Sequence, residues 1–279
     1  MISYAYYNGN FGKRNEISIP LSDRSIFFGD AVYDAAIGSY DRILWESEHI
    51  DRLLINAKRL GIEHEYTKAF LSELLREIAV KSMIKCYFLY FQLSRSSNMR
   101  IHSANNCKAN LLITIDPITI EKRPKPLRLI TAKDLRYGYC DIKTVNLLPA
   151  VLASTKAEKA DCDEAVFVKD SFVTECAKSN ISIINQGRII THPKNSKILP
   201  GITREHLLSM CKEMSFTIEE RPFTIDEMLR ADEILVTSTT KLCRTVGYID
   251  GTSVGGKDTH FAEMICQKMY KEFADFCKI

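Results

Sequence analysis

The stretch DPITIEKRPKP, residues 116–126, sets three prolines among mixed charges. Proline fixes φ and has no backbone N–H, so such a segment continues neither a helix nor a central strand. It divides the chain into an N-terminal domain over residues 1–115, a linker over 116–126 and a C-terminal domain over 127–279. With 279 residues, 46% of them hydrophobic, each part is long enough to build a modest core.

The first part opens with YAYYNGNF, where Asn8-Gly9 between aromatic residues signals a two-residue hairpin. Two amphipathic helices follow. Ile50, Leu53, Leu54, Ala57 and Leu60 recur at the helical period in one, and Phe70, Leu71, Leu74, Leu75 and Ile78 in the other. Strands are expected at CYFLYFQLSR and ANLLITID. The second part reads as LRLITA, a helix near residues 147–159, EAVFVK, ISIINQGRIITHP, a helix from Thr203, DEILVTSTT and a last helix near residues 260–276. Strands and helices mix without regular β-α-β alternation, so the expected class is α+β. No repeat or low-complexity tract is seen.

Charge and cysteine usage exclude several functions. The formal net charge of +3 comes from 38 basic and 35 acidic residues spread along the chain, so no basic stripe suits nucleic acid. No apolar run reaches membrane-spanning length, and MISYAYYNGNF lacks a secretory pattern. Cytoplasm is the expected compartment. Nine cysteines without a C-x-x-C pair argue against a zinc site or a disulfide scaffold and for reduced, mostly buried thiols.

Several short stretches carry chemical potential. GTSVGGKD, residues 251–258, nearly spells a phosphate-cradling loop, but Asp258 stands where a hydroxyl should ligate Mg²⁺, which leaves a turn-rich connection. LPGITREHLL, residues 199–208, combines a Pro-Gly turn with a helix start whose free N–H groups suit an anion, with Ile202 N–H and the Thr203 hydroxyl as candidates. VTSTTK ends a strand with hydroxyl residues. Lys143, in RYGYCDIKTVNLLPAV, is flanked by Ile142 and an apolar run, so desolvation can make a neutral amine available to attack a carbonyl. Glu175, in FVTECAKSN, reads from composition alone as a surface carboxylate. Arg52 lies off the apolar stripe of its helix and reads as solvent-exposed. Arg100 and His102 read as a polar loop.

Taken in chain order, the stretches DRSIFFGDAVYD, EHIDRL, YFQLSR, RIH, CDIKTVNLLPAVLA, VTE with SN, ILPGITR and DEILVTSTT resemble the two-domain fold-type IV pyridoxal-phosphate enzymes. Within them the pattern is similar to the bacterial D-amino-acid aminotransferases. It covers residues 23–240. The resemblance implies that Lys143 carries the aldehyde of pyridoxal 5'-phosphate and moves the proton at the substrate α-carbon. It implies that Glu175 keeps the cofactor ring nitrogen protonated, and that Arg52, Ile202 N–H, Thr203 and Thr239 hold its phosphate. Tyr33, Arg100 and His102 correspond to a trap for the substrate α-carboxylate, with Tyr90 walling the side-chain pocket. In that family the Arg-x-His pair comes from a neighbouring subunit, so a homodimer is implied.

The implied activity is transfer of the amino group of D-alanine, or a related D-amino acid, to 2-oxoglutarate. An aminodeoxychorismate lyase and a branched-chain aminotransferase are the alternatives on the same fold. The chain departs from the family pattern at Ala31, at Asp34, where glutamate is more usual, and at Cys176-Ala177-Lys178, where small and hydroxyl residues are usual. Lys178, if inward, would favour acidic substrates by charge attraction; otherwise it is a solvated loop tip.

Overall fold

The computed structural model describes residues 2–97, 100–104 and 108–278. The chain forms two compact units. One comprises residues 1–120, 142–146 and 273–279, and the other residues 121–141 and 147–272.

The first unit begins with β1 (Tyr4–Tyr7) and β2 (Asn10–Lys13), the hairpin that Asn8-Gly9 announces, with both turn residues at positive φ. It continues with α1 (Arg24–Phe28), β3 (Ala31–Ser39), β4 (Arg42–Ile43), α2 (Glu46–Arg59), α3 (Lys68–Ser82), β5 (Cys86–Ser94) and β6 (Asn110–Pro117). The strands form one antiparallel sheet in the order β2-β1-β6-β5-β3-β4. Acidic Glu46 and Glu48 open α2 and basic Lys58 and Arg59 close it, which suits the helix dipole. The Thr67 hydroxyl caps α3 by accepting from Phe70 N–H. Ile50, Leu53, Leu71, Leu75 and Ile78 bury against Val32, Leu89 and Phe91 of the sheet, which accounts for the two apolar stripes. Phe70 is the exception, at 45% exposure.

β3 is absent from the sequence reading. Its nine residues are buried on both sides at nearly every position, so the polar-apolar alternation that betrays a half-buried strand is missing. Gly38 in this strand is required by space, because a Cβ would stand 2.6 Å from the Tyr87 hydroxyl and 2.3 Å from Arg42 O.

The second unit comprises β7 (Leu127–Lys133), α4 (Leu148–Lys159), β8 (Glu164–Lys169), β9 (Phe172–Cys176), β10 (Asn180–Asn185), β11 (Arg188–Thr191), α5 (Ile202–Glu213), β12 (Thr217–Glu220), β13 (Phe223–Thr224), α6 (Ile225–Arg230), β14 (Glu233–Ser238), β15 (Leu242–Ile249), β16 (Thr252–Ser253) and most of α7 (Thr259–Cys277). Its mixed sheet runs β12-β11-β10-β14-β15-β7-β8-β9-β13, with β16 pairing β15. Leu129, Val166, Val173, Ile181, Ile234 and Val236 form its main core. α4 presents Ala150, Ala153 and Ala157 to Ile130, Ala165 and Phe167.

The expected domain borders and the observed units differ at three places. β6 continues through Pro117, opposite Tyr87, so chain-breaking starts later than residue 116. The last turn of α7 is grouped with the first unit. The third difference moves Lys143: residues 142–146 belong to the first unit, not the C-terminal one. Ile142 is buried in the first core, Tyr33 N–H donates to Lys143 O at 2.9 Å and Val145 N–H to Ala31 O at 3.3 Å, which docks the segment along β3.

Candidate active site

In the first unit the candidate residues collect around β3. The half-buried Lys143 places Nζ 4.4 Å from the centroid of the Tyr33 ring, an attractive cation–π distance. Tyr33 stacks on Tyr90 at 5.1 Å, because β3 and β5 pair with Ala35 opposite Tyr90 and Tyr33 opposite Gln92. The Tyr90 hydroxyl donates to Gln92 Oε1 at 2.5 Å, and burial, with Tyr33 adding to it, raises its pKa well above the usual phenol range.

Next to Tyr33 in the strand, Asp34 is wholly buried. Arg52 reaches it with Nε to Oδ2 at 2.7 Å and Nη2 to Oδ1 at 2.9 Å, a forked pair that fixes the guanidinium plane. His49 Nδ1 lies 2.7 Å from Asp34 Oδ1. Burial alone would raise the Asp34 carboxyl, but Arg52 and then His49 more than offset it and hold it well below the ordinary carboxylate range. Burial lowers His49 despite the pull of Asp34, so at neutral pH its imidazole is neutral. Nδ1–H then donates to Asp34, leaving Nε2 a buried acceptor with no partner among the described residues. The solvent-exposed reading of Arg52 is thereby corrected: its side chain is 14% exposed. Helical periodicity senses a helix's own stripe and is blind to a carboxylate on a neighbouring strand.

Arg100 and His102 share one aromatic neighbour. The Arg100 guanidinium stands 5.6 Å from the Phe28 ring centroid, and the His102 ring 5.3 Å from it. Buried Arg24 holds their loop by donating from Nη1 to Ile101 O at 2.5 Å and from Nη2 to His102 O at 3.0 Å, while its Nε bonds Asp30 at 2.8 Å. Asp30 also accepts from Arg95, whose remaining N–H groups bond Leu60 O and Gly61 O at the end of α2. Neither Arg24 nor Asp30 stood out in the sequence, where nothing marks a charged pair as buried.

In the second unit Glu175 is 5% exposed, which corrects its reading as a surface carboxylate. Its oxygens accept from Leu199 N–H at 3.1 Å, Asn180 Nδ2 at 2.9 Å and Arg136 Nη1. Arg136 is in turn forked onto Asp134, with Nε–Oδ1 at 3.0 Å and Nη2–Oδ2 at 2.8 Å. Burial opposes the charge on Arg136, yet Asp134 and Glu175 outweigh it and raise its pKa; burial likewise pushes Asp134 up, and Arg136 brings it below the usual value. Asp134 and Glu175 thus share one guanidinium inside the unit. Sequence reading missed Arg136, which lies in a stretch without periodic signal.

α5 starts at Ile202, after the Pro200-Gly201 turn, so the N–H groups of its first turn have no partner inside the helix. Thr203 Oγ1 in that turn and Thr237 Oγ1 on β14 are buried without a hydrogen-bond partner among the described residues, although buried hydroxyls are nearly always paired. Asn180 joins the two places: its Cα is opposite Thr237 across the ladder, and its Nδ2 bonds Leu199 O. Unmatched hydroxyls and helix-start amides are the donor types that suit an anion. Thr239 is half-buried in the turn after β14.

Two sequence leads resolve simply. Lys257 Nζ donates to Arg230 O at 2.7 Å and Ala231 O at 3.3 Å, so GTSVGGKD is the turn-rich connection it was read to be. Lys178 is exposed.

The amino-transferase class IV model matches residues 31–249. The D-alanine aminotransferase of Bacillus licheniformis is 37% identical over 256 residues, covering 89% of both chains. That of Listeria monocytogenes is 30% identical, covering 97% of this chain and 96% of its own. Among solved structures, a branched-chain aminotransferase from Thermoproteus uzoniensis superposes with a TM-score of 0.87 at 20% identity, over 99% of this chain and 98% of that one. A putative 4-amino-4-deoxychorismate lyase from Legionella pneumophila gives 0.85 at 24%, over 92% and 96%. At these identities the structures speak for the fold, and it is the fold described above. Sequence match and architecture agree: the chain belongs to the amino-transferase class IV family.

Proposed function

We infer that this chain is a pyridoxal-phosphate-dependent D-amino-acid aminotransferase, passing the amino group of D-alanine or a related D-amino acid to 2-oxoglutarate. The observation that carries the reading is the identity to D-alanine aminotransferases over about nine-tenths of the chain. Lys143, the lysine of the CDIK stretch, has its Nζ 4.4 Å from the centroid of the Tyr33 ring, which supports its reading as the cofactor lysine. When bound, pyridoxal phosphate supplies an aldehyde that accepts the amino group and a ring that withdraws electrons from the substrate α-carbon.

The chain's own groups do the rest. Arg52, oriented by Asp34, binds the phosphate, joined by Ile202 N–H, Thr203 and Thr239. Glu175, held by Arg136, Asn180 and Leu199 N–H, holds a proton on the cofactor ring nitrogen. Lys143 Nζ takes the proton from the substrate α-carbon and returns it as general base and acid. Tyr33, Arg100 and His102 grip the α-carboxylate, and Tyr90 shapes the side-chain pocket.

A homodimer is the proposed assembly. Leu148, Val151 and Leu152 lie at i, i+3 and i+4 on α4 and are exposed while its alanine face is buried, the kind of apolar patch that marks an interface. Cytoplasm is the proposed compartment, supported by eight free cysteines among the described residues. No helix among those residues is long and apolar enough to cross a membrane.

A visible spectrum tests the assignment. Purified enzyme is expected to be yellow, to lose that band on D-alanine but not on L-leucine, and to carry the borohydride-fixed cofactor on Lys143 by peptide mapping. Label elsewhere, or a response to L-leucine alone, overturns it. Pyruvate released from aminodeoxychorismate without a keto-acid acceptor would indicate the lyase.

A further inference from the structure

Two turns of the larger sheet lie at one end of adjacent strands. β10 is antiparallel to β14, with Asn180 opposite Thr237, so the turn at residues 177–179, just before β10, and the turn at 239–241, just after β14, are neighbours. The first follows Glu175 and the second contains Thr239. Glu164, the first residue of β8, has no exposed surface. It accepts from Lys178 N–H at 2.7 Å, from Ser179 Oγ at 2.9 Å and from the Lys241 ammonium. Lys241 Nζ also lies 3.4 Å from Ser179 Oγ, and Lys241 N–H lies 3.3 Å from Ser238 Oγ. One buried carboxylate thus collects a backbone donor and a hydroxyl from one turn and a cation from the other. A buried ion pair of this kind makes position all-or-none, since removing either partner strands a charge away from water.

We propose that Lys241 and Glu164 are positioning residues, a buried pin that sets the Glu175 turn against the Thr239 turn and so fixes the spacing between the ring-nitrogen and phosphate ligands of the cofactor. The proposal rests on the reading of Glu175 and Thr239 given above. A pin that acts through geometry touches no reacting atom. Its loss shows first in cofactor retention and in the state of the bound cofactor.

The experiment measures the pyridoxal phosphate dissociation constant by equilibrium dialysis, the pH dependence of the bound cofactor's visible band, and the thermal midpoint without cofactor. The proteins are wild type, K241M, E164Q, the double variant K241M/E164Q and K241R. K241M and E164Q are each expected to weaken binding by about tenfold or more and to shift the pH profile of the band, in line with the coupling energies typical of linked sites. K241R restores binding to near wild type because a guanidinium still reaches the carboxylate. The double variant, with no stranded charge, melts above K241M yet binds the cofactor no better, which separates positioning from stability. Binding within twofold of wild type in both single variants overturns the pin. So does K241R behaving like K241M, or cofactor affinity recovering together with the melting point in the double variant. Failure of the wider reading looks different: E175A and T203A would leave affinity unchanged, or the wild type would not bind pyridoxal phosphate at all.

Discussion

Asp34→Asn isolates the electrostatic knot that orients Arg52. Asp34 accepts at Oδ1 from Arg52 Nη2, His49 Nδ1 and Ala35 N–H, and at Oδ2 from Arg52 Nε. Asparagine with its oxygen in the Oδ1 place keeps three of these contacts in weaker, uncharged form. Its amide nitrogen then faces Arg52 Nε donor to donor, and the guanidinium loses the charge of Asp34. Breaking one side of a buried pair costs about 3–5 kcal/mol; because the Arg52 side chain is 14% exposed, water recovers part of it and the lower end, about 3 kcal/mol, is expected. Unfolding entropy of about 2.1 cal/mol/K per residue gives about 0.6 kcal/mol/K for a chain of this size, so the melting point should fall by about 5 °C. Scanning calorimetry of cofactor-free wild type and variant measures it, and dialysis then measures the loss of phosphate affinity as Arg52 turns. A midpoint within about 1 °C of wild type, with cofactor affinity unchanged, would refute the argument that the charge of buried Asp34 holds the Arg52 guanidinium in place.

Acid should act on the same knot in two stages. Asp34's folded pKa is depressed from 3.8, so the stability it adds is fully present above that value and is lost as pH falls below it; Asp34→Asn flattens that limb of a melting-point-against-pH curve. His49 is lowered from 6.5, so below about that pH the unfolded chain takes up a proton first and stability declines; His49→Gln should remove its share of the decline, and an unchanged slope would speak against a buried neutral imidazole. Arg24→Gln frees the loop bearing Arg100 and His102, so the KM for D-alanine should rise by about tenfold, the order of one lost charged hydrogen bond, with pyridoxal phosphate affinity unchanged; an equal fall in kcat and affinity would assign Arg24 to general stability. Gly201→Ala places a Cβ 2.0 Å from Asn180 Oδ1, and displacing the residue that bonds Glu175 should cost about 1–3 kcal/mol of stability and weaken cofactor binding; an unperturbed holoenzyme would show that Asn180 has room to move.

The local signals were legible and the long-range electrostatics were not. Asn8-Gly9 gave its hairpin because turn chemistry acts over two residues, and α2 and α3 gave their stripes because each buries a single face. β3 escaped because a strand buried on both sides has no alternation to read. The same omission hid the meaning of Arg52: with no strand assigned to residues 31–39, Asp34 had no reason to be indoors, and the arginine looked free to face solvent. Glu175 failed for a related reason. Its donors come from residues 136, 180 and 199, and composition around position 175 cannot report a guanidinium from so far along the chain. The roles given to Arg52, Lys143 and Glu175 therefore came from motif order.

The chain visits the first unit three times, over residues 1–120, 142–146 and 273–279. No single cut can thus liberate a self-sufficient front half, and a fragment ending near residue 120 would lack the strip of backbone that hydrogen-bonds along Ala31 and Tyr33. A one-crossover chimera between two relatives, joined anywhere from residue 120 to 141, would dress one parent's β3 with the other parent's lysine segment. Recombination libraries on this scaffold should accordingly reward exchanges that keep residues 31–33 and 142–146 from the same ancestor.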